Sequence, residues 1–299
     1  MVTRLTAELI VDARAELGEG PVWDVDAGVL WWVDIDGHRV HRFDPETGED
    51  RAFATPSAVG AVALRAVRGL AVALADGIWT IDSNADLEPV SPADAWHVLA
   101  PFVERPDVRC NDAKCDPLGR LLVGTMAADE RPVGGLFSVE RDGGVRQLLD
   151  GLAIANGLAW SGDGRTLYFI DSPTRRVDAW DYELGTGTID RQRVHLAFDD
   201  GLAMPDGMTI DTEGGLWIAF WDGWEVRRYA PDGALDVVVR VPAAQVTSCT
   251  FGGPDLDDLY ITTAASDFDA ELRAAQPGAG GLFRVRPGIG GAPPDRFVG

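Results

Sequence analysis

Four oxygen-bearing side chains, Glu19, Asn111, Asn156 and Asp206, hold the same place in a recurring pattern. Each stands five residues before a turn signal that leads into an apolar strand. The turn at Asp24 to Gly28 precedes Leu30-Trp31-Trp32-Val33, and that at Asp116 to Gly119 precedes Leu121-Leu122-Val123. Ser161 to Gly164 precedes Leu167-Tyr168-Phe169-Ile170, and Asp211 to Gly214 precedes Leu216-Trp217-Ile218. Equivalent positions in equivalent repeats take equivalent places in space. If the repeats close into a ring, the four side chains converge on its axis, with Ser248 and a ligand-free position at Val59 or Gly60 completing the circle. Facing carboxylates in such a centre are costly unless a cation neutralises them. Two carboxylates with amide oxygens form a hard donor set without His or Cys. That set suits one divalent cation, calcium first, then magnesium or manganese, with zinc and iron also able to bind. Glycine follows three of the four, as Gly20, Gly157 and Gly207, and permits unusual dihedrals and close approach.

The elements that must position these residues are short strands. Strand-starting leucines fall at positions 30, 70, 121, 167, 216 and 259. The period of about forty to fifty residues is that of four-stranded propeller blades. Turn signals abound and long helical periodicity is absent. The sequence therefore predicts an all-β, six-bladed β-propeller, a single domain over residues 1–299. A β-sandwich is the weaker alternative, because it does not demand a regular long repeat. Residues 4–12 predict one isolated strand that closes the ring by pairing with the last blade. Phe268 and Leu272, four apart, predict one short helix. The Gly- and Pro-rich tail from Gly288 to Gly299 predicts a loose end. Asp34-Ile35-Asp36-Gly37 resembles part of a calcium loop but lacks the downstream Glu of an EF-hand, so a hairpin turn is expected.

Composition narrows the partners. The chain has 299 residues, 46% hydrophobic, with a net charge of −22, which repels phosphate backbones and anionic lipid. No nucleic acid or membrane partner is expected. There is no run of eighteen apolar residues and no apolar core of signal-peptide length between Met1 and Gly20. A soluble cytoplasmic protein, monomeric or a weak homo-oligomer, is expected. The three cysteines, Cys110, Cys115 and Cys249, predict reduced and mostly buried thiols. The four histidines are scattered and predict packing rather than catalysis. The tryptophans fall mostly in strand runs and predict core; for Trp221 and Trp224, which follow a strand, lining a pocket is the alternative to packing.

Several stretches carry a resemblance. Leu17-Gly18-Glu19-Gly20-Pro21-Val22-Trp23, Arg109-Cys110-Asn111-Asp112, Ala155-Asn156-Gly157-Leu158-Ala159-Trp160-Ser161 and Pro205-Asp206-Gly207-Met208 resemble the motifs of the gluconolactonase/regucalcin (senescence marker protein) family. Gly124-Thr125-Met126-Ala127 and Cys249-Thr250-Phe251-Gly252-Gly253 resemble it too, and the matches run in the family's order from residue 17 to about 285. Ala113 departs from the pattern, since many members carry glycine after Asn-Asp. The resemblance implies a six-bladed propeller that hydrolyses sugar lactones with one divalent metal held by Glu19, Asn156 and Asp206. It implies that Arg109 and Asn111 hold the lactone, helped by an acidic residue on the loop after Met126, for which Asp129 is the nearest match. The metal would polarise the lactone carbonyl, and Asp206 would act as base or water-positioning group. A metal-dependent phosphotriesterase-like hydrolase and a non-catalytic calcium-binding propeller are the competing readings.

Overall fold

The computed structural model describes residues 1–82, 95–199, 201 and 203–299. Twenty-five strands, β1 to β25 in chain order, are found among the described residues. They form six sheets arranged as the blades of a propeller. The innermost strands are β3 (Gly18–Asp24), β7 (Val59–Leu64), β11 (Val108–Cys115), β15 (Ala155–Trp160), β19 (Met204–Ile210) and β23 (Val246–Gly252). Each packs on the next around the ring, and β23 returns to β3. Each blade then runs outward by antiparallel hairpins.

Apolar burial holds the blades together rather than filling one central core. Six clusters of buried side chains lie between adjacent blades among the described residues. Trp31 and Val33 of the first blade, for example, pack on Val62 and Val72 of the second. Trp23, Trp31, Trp32 and Trp217 are almost wholly buried, as their place in strand runs predicts. The centre of the ring is left free for polar side chains.

The aspartates that open the first turn of a blade are structural. Asp24 Oδ1 accepts the backbone N–H groups of Asp26 and Ala27. Asp116 Oδ1 accepts those of Leu118 and Arg120, and Asp211 Oδ1 those of Glu213 and Gly215. These side chains mimic a backbone turn, which is why the turn recurs five residues after Glu19, Asn111 and Asp206; after Asn156 the place is taken by Ser161, whose Oγ accepts the Thr166 N–H.

Both chain ends differ from the sequence expectation. Residues 4–12 form two strands rather than one. β2 (Glu8–Val11) pairs antiparallel with β25 (Leu282–Val285) and so closes the last blade, as expected. β1 (Thr3–Thr6) instead pairs parallel with β22 (Leu235–Arg240) and adds a fifth strand to the neighbouring blade. The break falls at Ala7, which is buried and donates its N–H to the Arg240 carbonyl. The tail is not loose. Phe297 is fully buried between the second and third blades. Its N–H donates to Leu64 O, and Val298 N–H donates to Gly119 O. Arg296 pairs with Asp24 and Asp26. Upstream, the Gly290 carbonyl accepts from Thr212 N–H, and Gly291 N–H donates to Leu256 O. The tail thus straps five blades across one mouth of the axial channel. The short helix is present as Ala270–Ala275, capped by the Asp269 carboxylate on Leu272 N–H. Asp34 to Gly37 is a turn, with Gly37 N–H donating to Asp34 Oδ1.

Candidate functional site

Each inner strand carries a register irregularity beside its axial residue. In β11, Asn111 and Asp112 together oppose one residue of the partner strand, between the pairs Cys110 with Thr125 and Ala113 with Val123. The same two-against-one arrangement holds at Asn156-Gly157, between Ala155 and Leu158, and at Asp206-Gly207, between Pro205 and Met208. In β3 the extra residues follow Glu19, between it and Val22. A bulge re-aims the side chain it contains. Here it turns a strand position into an axial one, with consecutive residues pointing to opposite ends of the channel. Two glycines allow this. Gly20 has φ +53°, and a Cβ on Gly157 would stand 2.7 Å from the Asp206 carbonyl oxygen.

The strand starts are also pinned. Asp34 accepts the N–H of Leu17, two residues before Glu19, at 3.0 Å. In the fourth blade Asp171 accepts the N–H of Ile154, two residues before Asn156, at 2.8 Å.

One end of the channel holds a cavity of about 240 Å³. Glu19, Arg109, Asn111, Asn156 and Asp206 all line it. The structure therefore brings together five of the six residues singled out from sequence. The sixth, Asp129, is not among the lining residues. Its side chain is exposed and pairs with Arg131 at 2.7 Å. The neighbouring Glu130, turned by a φ of +58°, lines the cavity instead. Ser248 faces the other end of the channel, and Val59 is buried and apolar. Trp221 lines the cavity, whereas Trp224 is exposed. The three cysteines are free and buried, and burial pushes their thiols up, Cys249 to about 12. None of them lines this cavity.

A chain of hydrogen bonds links three blades. Arg109 Nη1 donates to Asn111 Oδ1 at 2.6 Å and to Cys110 O at 3.0 Å. Asn111 Nδ2 donates to Asn156 Oδ1 at 2.8 Å and to Ala155 O at 3.0 Å. Asn156 Nδ2 donates to Ser172 Oγ at 2.9 Å, and Ser172 Oγ donates to Pro205 O at 2.7 Å. Ser172 also lines the cavity. The inner-strand register could not reveal it, because it lies in the turn after β16 (Thr166–Asp171).

The acids are less well served. Glu19 Oε2 accepts the Gly20 N–H at 2.9 Å. Asp206 Oδ1 is buried with no hydrogen-bond partner. Burial, then the charge of Asp112, pushes the Glu19 carboxyl up to about 8. Burial, then Glu19 and Asp112, pushes Asp206 well above the usual carboxylate range. Asp112, aimed toward the other end, is also raised by burial, against the pull of Lys114. Burial lowers the Arg109 pKa, opposed first by Asp36 and then by Glu19.

This donor set fits a hard divalent cation. Two desolvated carboxylates lie beside an amide oxygen, and one carboxylate oxygen lacks any donor. Among the described residues no three Asp, Glu, His or Cys side chains are grouped as a metal site, so an amide oxygen would have to complete the shell. Glu19, Asn156 and Asp206 are the residues that would hold the cation.

A six-bladed β-propeller with a polar cavity on its axis, edged by desolvated acids, defines the class. Residues 17–265 match the SMP-30/gluconolactonase/LRE-like region, and the chain belongs to that family. It is 35% identical to a regucalcin of Xenopus laevis over the whole of both chains. It is 35% identical to the pentonolactonase XacC of Haloferax volcanii, with 97% of each chain covered. The solved structure of a calcium-binding protein, regucalcin, from Agrobacterium tumefaciens superposes with a TM-score of 0.92 at 27% identity, covering 99% of both chains.

Proposed function

We propose that this protein is a divalent-metal-dependent hydrolase that opens sugar lactones to aldonic acids. The observation that carries the reading is the buried, unpartnered Asp206 Oδ1 beside a second desolvated acid, Glu19, at the floor of an axial cavity. A bound cation would neutralise the two acids and supply Lewis-acid polarisation of the ester carbonyl. The remaining work falls to the chain. Arg109 carries five N–H donors, of which Nη1 is tied to Asn111 and Cys110, and the others can reach hydroxyls of a sugar ring. Asn111 is locked at both ends of its amide, so it presents a fixed edge to the substrate. Asp206 accepts the proton of the attacking water or orients that water. Leu17, Ile35, Met126, Ile154, Met204 and Trp221 form the apolar wall that limits access of bulk water.

Membership of a family that includes a pentonolactonase supports the reaction type. The names of the regucalcin relatives support calcium as the first cation to test. The deciding experiment is a panel of aldonolactones assayed with chelator-treated protein and with added calcium, magnesium, manganese or zinc. Acid release is followed against spontaneous opening. The reading expects cation-dependent turnover of at least one aldonolactone. Cation binding with no lactone turnover supports a binding propeller instead. Turnover of an aryl phosphotriester alone supports the phosphotriesterase reading.

A further inference from the structure

Ser172 has no part in the reaction as written above, yet it touches the cavity from an element that carries none of the axial ligands. It opens the short 3-10 turn Ser172–Thr174 and is 3% exposed. Its own N–H donates to Ile154 O. Its hydroxyl has two partners, and the proton inventory decides which way each bond runs. Pro205 offers only a carbonyl, which can only accept, so the Ser172 proton must go there. The hydroxyl then presents only lone pairs to Asn156, and the amide must turn its NH₂ toward Ser172. Asn156 Oδ1 is thereby aimed back toward the axis and Asn111. The other end of the chain agrees. Arg109 can only donate, so Asn111 turns its oxygen to Arg109 and its NH₂ to Asn156 and the Ala155 carbonyl. The row has one polarity, from a cation to a carbonyl, and Ser172 sets it at the carbonyl end. That carbonyl belongs to the residue immediately before Asp206. One hydroxyl therefore orients an amide in the fourth blade and holds the backbone beside an acid in the fifth.

We propose that Ser172 is a positioning residue that aims the Asn156 amide oxygen at the cation and fixes the Pro205-Asp206 peptide beside it. The proposal rests on the cation reading of the site. Removing the hydroxyl leaves Asn156 Nδ2 without its acceptor, so that the amide is held only by the Asn111 N–H on its oxygen. It also frees the Pro205 carbonyl. A neighbour that orients a metal ligand in this way typically matters by about 10- to 100-fold in metal affinity.

The test is calorimetric titration of calcium chloride, and separately manganese chloride, into the chelator-treated full-length protein. Wild type, Ser172→Ala, Ser172→Thr and Glu19→Ala are compared, each with a cation-free melting curve. Wild type is expected to bind one cation and Glu19→Ala none. Ser172→Ala is expected to bind about 10- to 100-fold more weakly, while Ser172→Thr, which keeps the hydroxyl, stays near wild type. A Ser172→Ala protein that binds as wild type overturns the proposal, and so do Ala and Thr variants weakened alike, which would mean packing alone. A wild type that binds no cation overturns the cation reading and this proposal together.

Discussion

The two ends of the axial channel are built from the same six strands and satisfy their acids differently. At one end lie Glu19, Asn156 and Asp206 around the 240 Å³ cavity. Five residues after Glu19, Asn111 and Asp206 come Asp24, Asp116 and Asp211, of which Asp211 lines the far chamber. The far chamber is larger, about 510 Å³, and the tail residues Ala292 to Asp295 form part of its wall. The contrast lies in how the acids are satisfied. Asp116 is buried, but its Oδ2 accepts from Arg120 Nε and from the Tyr182 hydroxyl, both at 2.7 Å. Asp211 accepts from Arg228 Nε at 2.6 Å and Trp217 Nε1 at 2.8 Å. Burial pushes the Asp211 carboxyl up, yet those bonds outweigh it and hold the group below its usual range. In the first blade the equivalent cation comes from the tail, as Arg296 on Asp24. For Asp206, burial and then the charges of Glu19 and Asp112 outweigh the Gly207 N–H and the Arg109 charge, and its pKa moves the opposite way. Asp112, toward the far chamber, is also raised by burial but has the Lys114 charge beside it; what sets the candidate site apart is Asp206 Oδ1, a buried acid oxygen with no hydrogen-bond partner.

The sharpest way to break this comparison is to alter one acid at each end. Asp206→Asn keeps the shape and removes the charge. Activity on the best lactone should fall by about 10³-fold or more in kcat/KM, with calorimetric cation binding lost. Asp211→Ala should do the reverse. It takes one of three carboxylates from the buried Arg228, which keeps Glu213 and Asp236, and it leaves the Trp217 indole N–H and the Gly215 N–H without their acceptor, so urea denaturation should show a loss of about 1–3 kcal/mol, while the folded fraction keeps its kcat/KM. An Asp211 variant that loses catalysis without losing stability would erase the distinction.

Phe297→Ala tests the strap in the same way. The ring is fully buried between two blades, so truncation should cost about 3–5 kcal/mol. Lactone kinetics should hold, because the tail crosses the mouth opposite the candidate site.

The pH response carries a sign. The Glu19 carboxyl rises from 4.5 to about 8 in the folded chain. In the cation-free protein its contribution to stability is therefore complete below about 4.5 and lost as pH climbs through about 8. Melting curves of chelated protein between pH 5 and 8 should fall more steeply for wild type than for Glu19→Gln. The cation should bind more tightly over the same range, by about tenfold per pH unit for each proton displaced. The smallest effect should come from the loop. Glu130→Gln should raise KM several-fold, on the order of the loss of one hydrogen bond to substrate, while Asp129→Asn should leave KM unchanged.

The axial set was legible because a repeat converts sequence spacing into spatial equivalence. Glu19, Asn111, Asn156 and Asp206 could be aligned without any structure. Gly157 could be flagged for close approach, and a Cβ there would stand only 2.7 Å from the Asp206 carbonyl oxygen. What was illegible depends on contacts between distant residues. Nothing near Phe297 in sequence says that it docks between the second and third blades, so a Gly- and Pro-rich tail read as loose. Ala7 gave no local sign of the break between β1 and β2. Asp129 and Glu130 are neighbours of the same charge, and only the left-handed backbone at Glu130 decides which one faces the cavity. Ser172 enters from a turn outside the repeat register, where no spacing argument reaches it.

The central claim, one cation on the axis held by Glu19, Asn156 and Asp206, is tested most directly by diffraction. Crystals grown with manganese should be measured at its absorption edge. The account predicts a single strong anomalous peak within about 2.0–2.6 Å of the Glu19 and Asp206 carboxylates and Asn156 Oδ1. An empty axis, or a peak only in the chamber beneath the tail, would contradict it.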